Sequence, residues 1–339
     1  MRYQIILVSI LLLVACNSNK KESDKQRFLI KGNDALSRQE YKEALRYYSG
    51  ALALDSCYVD ALNNIGIVYF ESRKFGESVK YYDAALQCQP EYWDAYLNRA
   101  SAFYELNELY RALDDLEYLQ RKIPDSSKVY FGLGLVNTKL RKFNDAIIAF
   151  DEALEIDNLN AEILVNRGTV RYYLKEFELA ENDLRAALAM DSLEANGYNA
   201  LALLYSDMKQ YDKALELVNK ALVIEKNQPY FLNNRGYIHL QMDKIEEAEK
   251  DINGSIVFDP QNGWAFRNKG LLYMKKGNYK AAIAAMERAI QLDDFIDKIY
   301  LYLGNAYQMD KEINNACEAW RESKQRGEEG EDMIQQYCN

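Results

Sequence analysis

The fold is decided by Leu62-Asn63-Asn64-Ile65-Gly66-Ile67-Val68-Tyr69 and the stretch that follows it, Phe75-Gly76-Glu77-Ser78-Val79-Lys80-Tyr81-Tyr82-Asp83-Ala84-Ala85. Each has apolar residues at helical spacing, and each carries small residues inside that pattern, Gly66 in the first and Ser78 and Ala85 in the second. Two helices that pack closely need small residues where their backbones approach and large ones beside them to fill the gap. The stretch therefore reads as a helical hairpin, with Phe75 filling the space under the turn.

Stepping outward by 34 residues reproduces the hairpin along the whole chain. From Gly66 the series is Gly32, Gly66, Ala100, Gly134, Gly168, Ala202, Gly236, Gly270 and Gly304, all small. From Ser78 it is Ala44, Ser78, Ala112, Ala146, Ala180, Ala214, Ala248, Ala282 and Ala316. From Phe75 it is Tyr41, Phe75, Leu109, Phe143, Phe177, Tyr211, Ile245, Tyr279 and Ile313, all large and apolar or aromatic. A fixed period of this length is the signature of a repeat architecture. A further small position recurs at Ala51, Ala85, Ala153, Ala187, Ala221 and Ala289, and becomes Leu119, Ser255 and Ser323 in the other repeats.

These residues resemble the tetratricopeptide repeat (TPR) pattern of large, small, aromatic, small, aromatic, alanine and proline at repeat positions 4, 8, 11, 20, 24, 27 and 32. The second repeat reads Leu62, Gly66, Tyr69, Ser78, Tyr82, Ala85 and Pro90, and the eighth reads Phe266, Gly270, Tyr273, Ala282, Met286 and Ala289. The proline survives only at Pro90, Pro124 and Pro260, and position 11 departs to Ala35, Asn137, Arg171 and His239, which weakens individual contacts. The resemblance implies an all-α, right-handed superhelical solenoid. Nine repeats are expected at 25–58, 59–92, 93–126, 127–160, 161–194, 195–228, 229–262, 263–296 and 297–330, with a capping helix over 331–339 that covers the last apolar face.

The first residues read as an export signal. Arg2 precedes an apolar stretch, Ile5 to Val14, broken only by Ser9 and too short to span a bilayer. It ends in Leu13-Val14-Ala15-Cys16, which resembles the bacterial lipobox. That resemblance implies removal of residues 1–15, lipidation of Cys16 by acyl chains such as palmitate, and membrane anchoring. The polar stretch over residues 16–24 reads as a tether. In lipoproteins of enteric-type bacteria, aspartate after the lipidated cysteine favours the inner membrane. Asn17 here implies an outer-membrane address in a Gram-negative cell, on its periplasmic or surface face.

The resemblance also implies that a groove lined by the first helix of each repeat binds a protein or an extended peptide. Position 6 reads Asn64, Asn98, Asn166, Asn234 and Asn268 in repeats two, three, five, seven and eight. A ladder of asparagines offers donors and acceptors to a peptide backbone, as in the TPR superhelix of protein O-glycosyltransferases; the bland alternative is a helix-bracing role. Tyr104, Tyr172, Tyr173, Tyr230, Tyr237 and Trp264 would flank that groove, and such aromatics suit protein recognition. The expected role is a scaffold, an accessory subunit of an outer-membrane assembly or secretion complex. The alternatives are a permanent structural subunit and a surface glycan-binding protein.

The rest of the composition narrows the function classes. A net charge of −10 disfavours nucleic acid as a partner. There is no nucleophile elbow, phosphate-binding loop, Cys-x-x-Cys or zinc-protease motif, so neither catalysis nor a cofactor or metal is expected. The single histidine, His239, falls at an inward packing position. Apart from Cys16 there are four cysteines, an even number that invites pairing in an exported protein. Cys317 and Cys338 would meet if the capping helix returns antiparallel. Cys57 and Cys88 lie near the same end of adjacent layers, but neighbouring helix axes are roughly 8–10 Å apart and a disulfide needs Cα atoms within about 7 Å. Buried free thiols are the alternative for both pairs.

Overall fold

The computed structural model describes the backbone of residues 2–338 and the side chains of residues 20–338. Among the described residues every regular element is a helix. The chain forms two compact units, Met1–Leu159 and Asn160–Asn339. The first holds α1 (Arg2–Ser37), α2 (Tyr41–Leu54), α3 (Val59–Glu71), α4 (Phe75–Cys88), α5 (Trp93–Glu105), α6 (Leu109–Lys122), α7 (Ser127–Lys139) and α8 (Phe143–Ile156). The second holds α9 (Ala161–Tyr173), α10 (Phe177–Met190), α11 (Ala195–Asp207), α12 (Tyr211–Ile224), α13 (Pro229–Gln241), α14 (Ile245–Phe258), α15 (Gly263–Lys275), α16 (Tyr279–Leu292), α17 (Ile299–Met309), α18 (Ile313–Gln325) and α19 (Glu331–Tyr337). Consecutive odd and even helices pair into the antiparallel hairpins of the nine repeats, and within each unit every hairpin packs on the next.

The contact that sets each hairpin is small against large. A methyl group added at Gly66 would lie 2.3 Å from the Tyr82 ring, and the same holds for Gly32 on Tyr48 and Gly134 on Phe150. Where position 8 is alanine, at Ala100 and Ala202, the residue at position 24 shrinks to Leu116 or Val218. Glycine also faces aliphatic partners, Gly168 on Leu184, Gly236 on Ile252 and Gly270 on Met286.

The turn within each hairpin also repeats. Residues 39, 73, 107, 141, 175, 209, 243, 277 and 311 all have positive φ, between 57° and 72°, and only Gly277 is a glycine. The following N–H reaches back to position 11, as in Lys74 to the Tyr69 carbonyl (2.8 Å) and Gln210 to the Tyr205 carbonyl (2.8 Å). This is the Schellman closure of a helix. It uses only the backbone of position 11, so the substitutions there at Ala35, Asn137, Arg171 and His239 leave it intact.

Two ends depart from plain repeat geometry. Residues 20–24, read from composition as part of a tether, continue α1 as helix. No glycine or proline interrupts residues 17–31, and Lys25–Glu22 and Arg27–Asp24 pair at i,i+3 spacing. Lys25 also binds Asp55 at 3.0 Å, which fixes α1 to the loop after α2. At the other end α19 lies against α18, with Tyr337 5.8 Å from the buried ring of Trp320 and Met333 and Ile334 beside it. Among the described residues no helix is long and apolar enough to cross a membrane.

Both cysteine pairs are disulfide-bonded, with Cα separations of 5.5 Å for Cys57–Cys88 and 5.6 Å for Cys317–Cys338. The interaxial spacing does not limit the first pair, because Cys57 lies in the loop between α2 and α3 while Cys88 closes α4. On the loop-entropy account each closure contributes about 3–4 kcal/mol.

Two outcomes follow from this packing. Gly66→Ala should destabilise by about 1–3 kcal/mol through overpacking, and adding Tyr82→Leu should restore much of the loss; thermal melts followed by circular dichroism check both. Cys338→Ser should release α19, which buries no residue fully, and shift the Trp320 fluorescence toward that of a solvated indole.

Candidate functional site

The side chains expected to recognise a partner lie on the first helix of each hairpin, and the structure separates them into braced and exposed groups. The asparagines are mostly braced. In the first unit, Asn64 Nδ2 donates to Asn33 Oδ1 (2.8 Å), which also accepts from the Tyr48 hydroxyl (2.8 Å). Asn63 Nδ2 donates to Asn64 Oδ1 (3.3 Å), and Asn98 Nδ2 donates to Asn63 Oδ1 (2.9 Å). The second unit repeats the motif: Asn234 Nδ2 donates to Asn199 Oδ1 (2.9 Å) and Asn268 Nδ2 to Asn233 Oδ1 (2.8 Å).

Four of the five asparagines therefore tie one repeat to the next, which favours the bracing alternative that the sequence left open beside the ladder. The reason is the neighbouring residue. Asparagine also stands at position 5 in Asn63, Asn199 and Asn233, and it meets the position-6 amide of an adjacent repeat. Asn268 is fully buried, and the Arg267 guanidinium occupies its oxygen at 2.9 and 3.1 Å. Asn166 differs again, donating to the Glu162 carbonyl of its own helix (2.8 Å).

The aromatic residues divide similarly. Tyr237 and Trp264 are brought together around Arg267, whose guanidinium carbon lies 5.4 Å from the first ring and 4.7 Å from the second, with Tyr302 at 5.9 Å. Burial pushes the Tyr237 hydroxyl up to about 12. Tyr172 donates to Asp207 Oδ2 (2.8 Å), and its ring lies 5.6 Å from Tyr173. In the first unit, Lys139 sits 4.2 Å over the Tyr104 ring and donates to the Tyr104 carbonyl. Tyr173 and Tyr230 remain 43% and 49% exposed, large rings on first helices of the second unit. Arg267 and Asp207 are the residues that repeat-pattern reasoning missed; both are charged groups at groove-side positions next to the aromatics.

A second set of missed residues is structural. Arg99, Arg167 and Arg235 at position 7 each grip the aspartate sixteen residues later, Asp115, Asp183 and Asp251, through two hydrogen bonds of 2.6 to 2.9 Å. The arginine and aspartate occur together in repeats three, five and seven and are both absent from the other six. Position 11 joins two of these pairs: Arg171 Nη1 donates to Asp183 Oδ2 (2.6 Å), and His239 Nε2 lies 3.7 Å from Asp251 Oδ2. Burial raises the Asp115 carboxyl against the opposing pull of Arg99. Removing one member of such a buried pair leaves an uncompensated charge, which costs more than the intact pair contributes.

Among the described residues no group of three or more His, Cys, Asp or Glu side chains is arranged to hold a metal ion.

Against known sequences, tetratricopeptide repeat models match residues 31–92, 63–127, 97–161 and 165–230, and a second such model matches 264–295. The chain belongs to the tetratricopeptide repeat family. The protein named STIP1 homolog from Dictyostelium discoideum is 26% identical over 155 residues, covering 46% of this TPR chain and 22% of its own length. The chain thus spans about a fifth of that relative. Among solved structures, the APC/C hetero-tetramer Cut9–Hcn1 is similar with a TM-score of 0.63, 16% identity and coverage of 83% of this chain and 56% of the other. An IFIT1 monomeric mutant with Gppp-AAAA gives 0.57, 17% identity and coverage of 78% and 68%. At these identities the likeness is one of fold.

His239 supplies a direct check on the buried charge pairs. Burial lowers its pKa from 6.5, outweighing Asp251 and Glu247, which raise it, while Arg235 and Lys244 lower it further. A depressed folded-state value means no effect well above pH 6.5 and a loss of stability as the pH falls below it, because the unfolded chain takes the proton more readily. As the only histidine, it should give a single imidazole titration in proton NMR with a midpoint under 6.5; a midpoint above that would contradict the packing.

Proposed function

We propose that this TPR chain is a membrane-anchored scaffold that holds a protein or extended peptide, as an accessory subunit of an outer-membrane assembly or secretion complex. The observation that carries the binding part is the pair Tyr173 and Tyr230, aromatic rings with nearly half their surface open on first helices whose other large side chains are packed. Aromatic anchors of this kind dominate protein recognition, because they bury much area at small entropic cost. With the asparagine amides engaged in hydrogen bonds, recognition falls to these rings and to the polar groups near them, such as Asp207.

The anchoring part rests on the sequence. Cys16 of the lipobox lies outside the residues whose side chains are described. The two disulfides suit an exported protein, since such bonds persist in oxidising compartments. Protein interaction is the common use of the TPR fold, and it supports the reading at the level of class, not of partner.

The experiment has two arms. Cys16→Ala should abolish palmitate labelling and release the protein from the membrane fraction; retention with label elsewhere contradicts the anchor. Mild-detergent purification of the tagged wild type from its own membranes, with mass spectrometry, should recover a stoichiometric protein partner. Tyr173→Ala with Tyr230→Ala should reduce that recovery at least tenfold, with the helical circular dichroism spectrum retained. Full recovery by the double variant removes the aromatic pair from the binding site.

A further inference from the structure

The second unit carries an unpartnered apolar edge away from the first-helix face. It lies at the C-terminal ends of the second helices and in the loops that follow them. Val223 and Val257, at the same position of successive repeats, are 75% and 76% exposed. One residue further along, Met190 and Phe258 are 46% and 52% exposed, and Leu193 in the next loop is 70% exposed. Single exposed apolar residues need no explanation, but a set in one register of adjacent layers does. The equivalents of Val223 in repeats two to four are Gln87, Arg121 and Glu155, ordinary solvated residues. The repeat pattern therefore does not require valine here.

Charge identifies what would cover this edge. Each of the four loops α10–α11, α12–α13, α14–α15 and α16–α17 opens on a carboxylate: Asp191, Glu225, Asp259 and Asp293. Three of them are held in place by a backbone N–H, Leu193 on Asp191 (2.8 Å), Gln261 on Asp259 (3.0 Å) and Phe295 on Asp293 (2.9 Å). None of the four forms an ion pair among the described residues. An apolar strip is thus bordered by carboxylates that recur every 34 residues, none of them in an ion pair among the described residues.

We propose that this edge is a second docking surface, and that its partner is a cationic amphipathic segment of another protein. Apolar side chains of the segment cover Leu193, Val223 and Val257, and its lysines or arginines meet the loop carboxylates. A second copy of this chain fits poorly, because it carries a net charge of −10 and brings the same acidic edge. An anionic lipid surface is repelled for the same reason. Tyr173 ends α9, at the opposite end of its hairpin from these loops, whereas Tyr230 starts α13 beside them and faces Asp259 and Asp293.

The test uses the full chain in lipid nanodiscs and a synthetic amphipathic helix of leucine and lysine as the probe, read by fluorescence anisotropy. The peptide should bind one to one, and binding should weaken steeply with added salt. Leu193→Ser with Val223→Ser and Val257→Ser should weaken it at least tenfold; all three side chains are exposed, so the fold is retained and circular dichroism verifies it. Tyr173→Ala should leave it unchanged. Equal binding by the serine variant, loss only in the tyrosine variant, or equal binding of a leucine–glutamate peptide would overturn the proposal. So would protection of the edge from radical labelling without peptide, or a cross-linked dimer abolished by the serine changes, since these identify bilayer or a second copy as the occupant.

Discussion

Everything in this fold depends on how closely two helix backbones approach inside one hairpin. The small residue at position 8 touches the large one at position 24, as Gly66 does Tyr82, and no added methyl group fits between them. That contact fixes the crossing of each pair and so determines which side chains face the neighbouring repeats. Because it recurs every 34 residues, the same register holds for the turns and for the interfaces within each unit. Position 24 is aromatic opposite Gly32, Gly66, Gly134 and Gly304 and aliphatic elsewhere, so the contact accepts several large partners.

Polar residues are placed on this apolar frame in two regular arrays. The arginine–aspartate grips of repeats three, five and seven fasten the two helices of a hairpin to each other. The asparagine contacts run from one hairpin to the next. Each hydrogen bond contributes only about 1 kcal/mol, but leaving a buried partner unsatisfied costs more, so the arrays specify register more than they add stability. Arg267 follows the same logic: its charge is surrounded by Tyr237, Trp264 and Tyr302 and bound to Asn268, which takes all of these groups into the frame.

The backbone architecture was legible in the sequence because it follows from the spacing of small and large residues, which composition preserves even where single positions drift. Gly66, Ser78 and Tyr41 marked helix contacts and turns without any knowledge of neighbours. The polar arrays were not legible in the same way. Asn64 and Asn234 looked outward because periodicity says which helix face a residue occupies, and it does not say whether an amide will find a partner on the next layer. The partner of Asn234 is Asn199, thirty-five residues earlier, and only the layer stacking brings them within 2.9 Å. One signal was present: asparagine at positions 5 and 6 together in repeats two and seven, and arginine at 7 with aspartate at 23 in repeats three, five and seven. The turn residues were missed for another reason. Arg73, Lys175 and Lys209 adopt a left-handed conformation usually marked by glycine, so no glycine announced it.

What the described residues leave exposed for partners is aromatic surface on first helices and an apolar, carboxylate-bordered edge on second helices. The central claim is that the asparagines hold repeats together while the half-exposed Tyr230 does not. The most direct measurement is the melting temperature of Asn234→Ala with Asn268→Ala against that of Tyr230→Ala. The account predicts a fall of several degrees for the asparagine pair, from about 1–3 kcal/mol per orphaned amide, and no change for the tyrosine variant. An unchanged melting temperature for the asparagine pair would show those amides to be free of the frame, and would contradict it.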